Sequence, residues 1–521
     1  MTAGVLKGLL LSLLAGLAAA FALPPWGFLP GLLGYGLMFT LVDRAVTARS
    51  AFFRGWLTGC GYFLVCVWWI YEPFQVDAQA QGWMAPFAVA IMAGGLALFW
   101  AAAAAAYRRL KGATAWRVLL FVGLFAGAEW LRGHVLTGFP WDLPGETWRA
   151  GSAPSQAAAV VGAYGLTWIT LAVACAPWLA GEGRGGKASA LAALIAVAGL
   201  YAFGSARLNQ TPPARSNAPL IRIVQADVDQ KSKYDQRVFS DIVRRYLVLT
   251  ARPAARRPDV VIWPEGAIPA AMDDYLAPRT WTQEAIGGAL RPGQTLIVGG
   301  YRYGGVRAGK DVIYNSLAVV RSGGVGPFVV AAYDKVRLVP FGEFLPFDTL
   351  AARLGIKQMV HVGEGFTPGP GPRSLRVVGL PIFQPLICYE SLFPGMTGEA
   401  RSVGGARADW IVNISNDAWF GSGSGPLQHL NIASYRAIEE GLPMVRATPT
   451  GVSAMIDAYG RIVPGTRLRH GAFGVIDAPL PPALAPTLYD LWGEGPFGLL
   501  LLISLAGIRR VALRAAPPRL R

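Results

Sequence analysis

The sequence predicts a polytopic α-helical membrane domain that carries one sizeable water-facing α/β domain. Two observations predict it: the placement of apolar residues, and the alternation of strand-like and helix-like runs in what remains. Of 521 residues, 53% are hydrophobic and 15% charged, against about 25% charged in ordinary soluble proteins. The apolar excess lies in residues 1–205 and in a short stretch near the C-terminus, whereas 210–480 has a globular composition. The division expected is an N-terminal transmembrane domain at 1–206, a water-facing domain at 207–490, a transmembrane helix at 491–512 and a basic tail at 513–521.

A bilayer core about 30 Å thick needs roughly 20 mostly apolar residues per helix. Runs of that kind fall near 5–23, 27–43, 54–71, 84–107, 116–135, 157–180, 188–206 and 494–512, which makes eight spans, seven of them before the water-facing domain. The first resembles a signal peptide, with Lys7 ahead of an apolar stretch and small residues at Ala18–Ala20; with six more spans following, it reads as an uncleaved anchor. Basic residues mark alternate loops: Arg44, Arg49 and Arg54 after the second run, Arg108, Arg109, Lys111 and Arg117 after the fourth, and Arg509, Arg510, Arg514, Arg519 and Arg521 after the eighth. Loops after the first and third runs lack them. Positive loops stay inside, so both termini are expected in the cytoplasm and the 207–490 domain on the opposite side.

The same clustering accounts for the net charge of +16 without nucleic acid as a partner, since the cations sit at the ends of apolar runs. Cys60, Cys66 and Cys175 lie inside those runs, which leaves Cys388 alone in the water-facing domain with no internal disulfide. His134, His361, His429 and His470 have no metal-ligand spacing, so neither metal nor cofactor is expected.

Within the water-facing domain, Ile221–Val224, Val260–Trp263, Leu296–Val298, Leu317–Val320, Ile382–Ile387 and Trp410–Ile414 have strand length and composition, and Phe239–Thr250 and Leu427–Glu440 read as helices. Function is expected where strands end in loops. Three such ends carry ionisable groups. Val260–Trp263 runs into Pro264 and Glu265, a surface turn cap or, partly desolvated, a base near neutrality. Ala332-Tyr-Asp-Lys335 offers a lysine in a chain that strongly prefers arginine; it is a solvated side chain or a compact cation for an oxyanion. Leu386-Ile-Cys-Tyr-Glu390 ends an apolar strand, and Cys388 is a buried small hydrophobe or a nucleophile on a strand-to-helix turn.

Glu, Lys and Cys in that order resemble the nitrilase (carbon–nitrogen hydrolase) superfamily. The flanking Trp263–Pro269, Asp334–Glu343, Cys388–Ser391, Asn413–Gly421, Gln428-His429, Arg446–Thr448 and Thr450-Gly451, with Thr137–Trp141 in the membrane part, resemble its apolipoprotein N-acyltransferase family. The resemblance spans essentially the whole chain. It implies a nitrilase-like four-layer αββα sandwich outside a bacterial inner membrane, and ping-pong transfer of a fatty acyl group from a phospholipid to the α-amine of a diacylated apolipoprotein. It assigns Glu265 as general base, Cys388 as nucleophile, Lys335 as oxyanion partner, and Glu343, Tyr389 and Glu390 as supporting residues. Tyr234 and Trp419 are candidate substrate contacts, and a monomer is expected. Loops Val336–Phe347 and Pro381–Pro394 either dip into the membrane interface or pack as core.

The chain departs from the family pattern at Gln225-Ala-Asp-Val-Asp-Gln230, at Lys233-Tyr234 where Lys-Trp is expected, and at Thr448-Pro-Thr450 where Thr-Asn-Thr is commoner. These positions bear on substrate preference and leave the three catalytic types intact. A membrane-tethered amidase, with water in place of the amine, is the alternative enzyme. A transporter would need charges buried in the spans, for which Glu129 and Arg132 are the nearest candidates.

Overall fold

Strict alternation of buried faces builds the water-facing half. The computed structural model describes residues 3–210, 217–307, 309–323, 326–345, 365–402 and 405–508. The basic tail from Arg509 onward, His361 and the end of the 336–347 loop lie outside the described residues. The first strands are β1 (Leu220–Gln225), β2 (Val260–Trp263), β3 (Thr295–Arg307), β4 (Lys310–Gly323) and β5 (Gly326–Asp334). They are followed by β6 (Phe383–Ile387), β7 (Trp410–Ile414), β8 (Met444–Ala447), β9 (Ser453–Ile456), β10 (Ile462–Leu468) and β11 (Gly474–Pro479). One sheet has the order β11-β1-β2-β3-β4-β5 and the other β10-β9-β8-β7-β6. β1, β2 and β3 run parallel, as do β6, β7 and β8, and the flanking pairs are antiparallel.

Side chains two apart on a strand share a face. Ile221, Ile223, Val260, Ile262, Ile297, Leu317 and Val319 therefore meet Phe383, Ile387, Trp410, Val412 and Ile414 between the sheets. Their neighbours Val224, Val261, Trp263, Leu296, Val298, Ala318 and Val320 face outward, onto the Phe239–Ala251 and Trp281–Ala289 helices. Leu386, Ile411 and Met444 face out of the second sheet onto the Gly425–Glu440 helix. The result is helix, sheet, sheet, helix, the αββα order. Nearly every residue of the Gly425–Glu440 helix is buried, because the loops between the apolar helices cover its far side. Asn431 Nδ2 donates to the Glu146 carbonyl (3.0 Å), and Glu439 accepts from the backbone N–H of Ala163 (2.8 Å).

Fewer helices reach membrane-spanning length than the eight runs suggest. Among the described residues, Ala78–Leu110, Pro154–Leu179 and Gly183–Leu208 are long and apolar enough. Ala48–Cys66 and Trp68–Gln75 make a fourth if read as one span bent by 48°. Leu6–Phe21, Leu29–Asp43 and Gly495–Gly507 are apolar but shorter, and Arg117–His134 carries Arg117, Glu129 and Arg132. Turns and 3₁₀ segments take up the ends of the apolar runs, as at Leu29–Leu32. The ends of several helices converge: Asp43 pairs with Lys111 (2.7 Å) and Arg117 (3.2 Å), Arg117 also with Glu182 (2.8 Å), and Gly112 bonds the Gly507 carbonyl.

Glu129 and Arg132 form a fully buried ion pair. Arg132 also donates to the carbonyl of Trp141 (3.0 Å), and Trp100 donates to Glu129. The pair thus holds the 137–141 turn.

Candidate active site

Strand ends bring the three sequence candidates together. Glu265 follows β2 by two residues, Cys388 follows β6 directly and Lys335 follows β5 directly. Lys335, Glu265 and Cys388 are 1%, 7% and 8% exposed, so water is largely shut out and each charge interacts strongly with its neighbours.

Glu265 accepts from Asn315 Nδ2 (2.7 Å) and Lys335 Nζ (3.2 Å) on Oε1, and from the Asn416 backbone N–H (2.8 Å) on Oε2. Burial alone would raise its pKa. The Lys335 charge and the hydrogen bonds from Asn315, Lys335 and Cys388 outweigh that and hold it below the usual carboxylate range. Burial opposes the charge on Lys335 too, but Glu265 and Glu343 keep it a firm ammonium. The Cys388 thiol is pushed up to about 12, by burial first and then by the Glu265 charge. The resting pair is therefore a carboxylate beside a protonated thiol.

Glu343 accepts from Lys335 Nζ (2.9 Å), Asn315 Nδ2 (2.7 Å) and the Val339 N–H (2.8 Å), which fixes the lysine from its far side. Glu390 ties the two halves of the site together. Its Oε1 accepts from the Val336 N–H (2.7 Å) and the Tyr333 hydroxyl (2.9 Å), and its Oε2 from the Ile387 N–H (2.8 Å). Tyr389 turns away from the sulfur and donates to the carbonyl of Gly138 in the helical half.

Cys388 has φ 50°, a left-handed conformation that a residue with a Cβ adopts only when its surroundings enforce it. Gly299 on β3 presses close behind: a Cβ there would lie 2.6 Å from both Glu265 Cα and Ile414 Cδ1.

The lesser candidates separate. Tyr234 is 67% exposed and its hydroxyl accepts from Gln230 (3.2 Å), while half-buried Trp419 packs against the core shared with the apolar helices. Neither touches the three central groups in the described contacts. Sequence reasoning missed Asn315, which lies mid-strand in β4 with no local signal, and missed the role of Lys233. Lys233 donates to Asn416 Oδ1 (3.2 Å), and burial lowers its pKa to about 8 against the opposing pull of Glu265. It is a second cation near Glu265.

The family model described as the apolipoprotein N-acyltransferase N-terminal domain matches residues 15–176, and the carbon–nitrogen hydrolase model matches 220–485. A Caulobacter vibrioides protein named apolipoprotein N-acyltransferase is 55% identical over 96% of this chain and 93% of its own length. Relatives of the same name from Rhodopseudomonas palustris and Allorhizobium ampelinum are 35% and 37% identical, over 98% and 97% of this chain and 96% of their own lengths.

Proposed function

Because the chain belongs to the apolipoprotein N-acyltransferase family of the carbon–nitrogen hydrolase superfamily, we propose that it moves a fatty acyl group from a phospholipid, through a thioester on Cys388, to the α-amine of a diacylglyceryl-cysteine in an apolipoprotein. The observation that carries the mechanism is the pairing of a held carboxylate, Glu265, with a protonated thiol on a strained turn.

In the first half-reaction Cys388 Sγ attacks the sn-1 ester carbonyl while Glu265 takes the thiol proton. The oxyanion that forms is neutralised by the Lys335 ammonium. Collapse breaks the ester C–O bond, and the departing lysophospholipid oxygen takes the proton back from Glu265. In the second half the amine attacks the thioester, Glu265 accepts its proton and returns it to the sulfur, and the amide is released. Splitting the transfer lets one site receive two bulky lipids in turn.

Both substrates live in the membrane, which accounts for the apolar half. We read both termini as cytoplasmic and the sheets as periplasmic, in a bacterial inner membrane. The alternating basic loops support this, and so does the convergence of Asp43, Lys111, Arg117, Glu182 and Gly507 at one end. We read the protein as a monomer and the domain limits as 1–206, 207–490, 491–512 and 513–521.

Mass spectrometry of the purified protein in phospholipid, wild type against Cys388→Ala, tests the mechanism. An acyl mass on the Cys388 peptide that is absent from the variant and discharged by a diacylated lipopeptide is expected. Discharge by water alone would point to the amidase reading instead, and no adduct would remove Cys388 from its role.

A further inference from the structure

Outside the three central groups, a second buried polar cluster closes on Cys388 from behind. Asp417 is fully buried and sits two residues past Ser415 in the segment after β7. Its Oδ1 accepts from the Ser415 hydroxyl (2.7 Å) and lies 3.1 Å from His429 Nδ1, and both its oxygens accept from Arg446 Nη2 (2.9 and 2.8 Å). On the other side of the imidazole, Nε2 lies 3.0 Å from Ser391 Oγ, and that hydroxyl donates to the Cys388 carbonyl (2.8 Å). His429 also reaches the same carbonyl. Ser415, for its part, is near enough to the Cys388 sulfur to favour its thiolate form. Starting from Asp417, one branch therefore ends on the backbone of Cys388 and the other on its side chain.

We propose that Asp417, acting through Arg446, His429 and Ser391 on one branch and Ser415 on the other, is the positioning residue that holds the Cys388 turn and presents its sulfur to the acyl donor. The inference rests on Cys388 being the nucleophile. Three arguments carry it. A non-glycine residue at φ 50° persists only when its surroundings over-determine it, and the carbonyl of that residue is held here by the Ser391 hydroxyl. The Ser415 hydroxyl has one proton and two acceptors in reach, Asp417 and the sulfur. As negative charge gathers on sulfur that proton can turn to it, while Arg446 keeps Asp417 satisfied. Arg446 also compensates the buried aspartate, so its carboxyl sits well below the usual range and stays a fixed anion. Burial and the Arg446 charge push His429 below its ordinary value, so the imidazole is neutral; with the Ser391 proton on the Cys388 carbonyl its one N–H lies on Nε2 facing Ser391 Oγ, and Nδ1 accepts from Arg446 Nη2 (3.1 Å), which joins it to Asp417.

The test compares wild type with Ser391→Ala, Ser415→Ala and His429→Gln in phospholipid micelles, following acyl loading on Cys388 by mass and the pH dependence of its alkylation by iodoacetamide. Both serine truncations are small enough to fold, and melting temperatures within a degree or two of wild type check that they do. Loading is expected to slow about 10- to 100-fold with KM for phospholipid unchanged. Ser415→Ala should shift the alkylation midpoint to higher pH. Ser391→Thr should restore the rate, and His429→Gln combined with Ser391→Ala should be no slower than His429→Gln alone. A wild-type loading rate and alkylation midpoint in the folded serine variants would overturn the proposal. Wild type that acquires no acyl mass at all would overturn the nucleophile assignment itself, a result the variants cannot mimic.

Discussion

At the residue scale the site is governed by how many donors a single carboxylate oxygen receives. Glu265 Oε1 has two, and one of them, Asn315, is uncharged and shared with Glu343. Asn315→Ala removes a hydrogen bond to a charged group, an interaction of about 1.5–3 kcal/mol, so acyl loading should fall by roughly 10- to 100-fold. The pH profile carries the sign. Glu265 is held below the ordinary carboxylate range, so its basic form survives at low pH and wild-type activity is lost only as pH falls through that depressed value. Without Asn315 the depression shrinks, and the acid limb should move to higher pH. An unmoved limb in pH–rate data would contradict this. Glu390→Gln is a second test at this scale. The amide accepts at one end only, so either Val336 or Ile387 loses its partner, and loading should drop about tenfold or more for a buried donor left unpaired.

At the element scale, strands place the chemistry by their ends and by their closeness. Gly299 on β3 leaves no room for a methyl group between Glu265 and Ile414. Gly299→Ala should cost about 1–3 kcal/mol of stability by overpacking, and should lower loading by about 10²-fold through displacement of Glu265. Comparing melting temperature with loading rate separates the two effects. If loading stays at the wild-type rate, the placement of Glu265 does not depend on this contact. The same scale explains what could be read beforehand. β2 is an unbroken apolar run, β1, β6 and β7 are apolar around Arg222, Gln384 and Asn413, and β3 and β4 hold the apolar stretches Leu296–Val298 and Leu317–Val320; these were legible, and so were the Glu, Lys and Cys at strand ends. β8 was not, because it has only four residues and one of them is Arg446, which serves the buried aspartate. β10 contains Pro464 and Gly465, which write turn signals into a strand. Asn315 reaches Glu265 only through the β3–β4 register, a long-range fact with no local trace.

At the scale of the whole molecule, the two halves share one buried charge cluster. Arg436 pairs with Glu439 (2.7 Å) and lies 3.9 Å from Glu146, which belongs to the loop before the Ala158–Cys175 helix. Burial pushes Glu146 up to about 8, against the pull of Arg436, and raises Glu439 as well. Arg436→Met strands two buried carboxyls, a change worth about 3–5 kcal/mol when the survivor stays charged. Protonation relieves it. A carboxyl whose pKa is raised by folding contributes stability at low pH that is lost as pH rises through the folded value. The variant should therefore melt below wild type by more at pH 8.5 than at pH 6. Equal deficits at both would show that the pair is not what joins the halves.

The hydrogen bond from Tyr389 to Gly138 sets a rule for anyone recombining this enzyme. The residue next to Cys388 is fastened to a turn that Arg132 braces from inside the helical bundle. A chimera that keeps the sheets and borrows its anchor from elsewhere would sever that brace, so the natural cut point is not the linker near residue 210. The turn at 137–142 must travel with the sheets, as a piece of the reaction centre that happens to be threaded on the anchor.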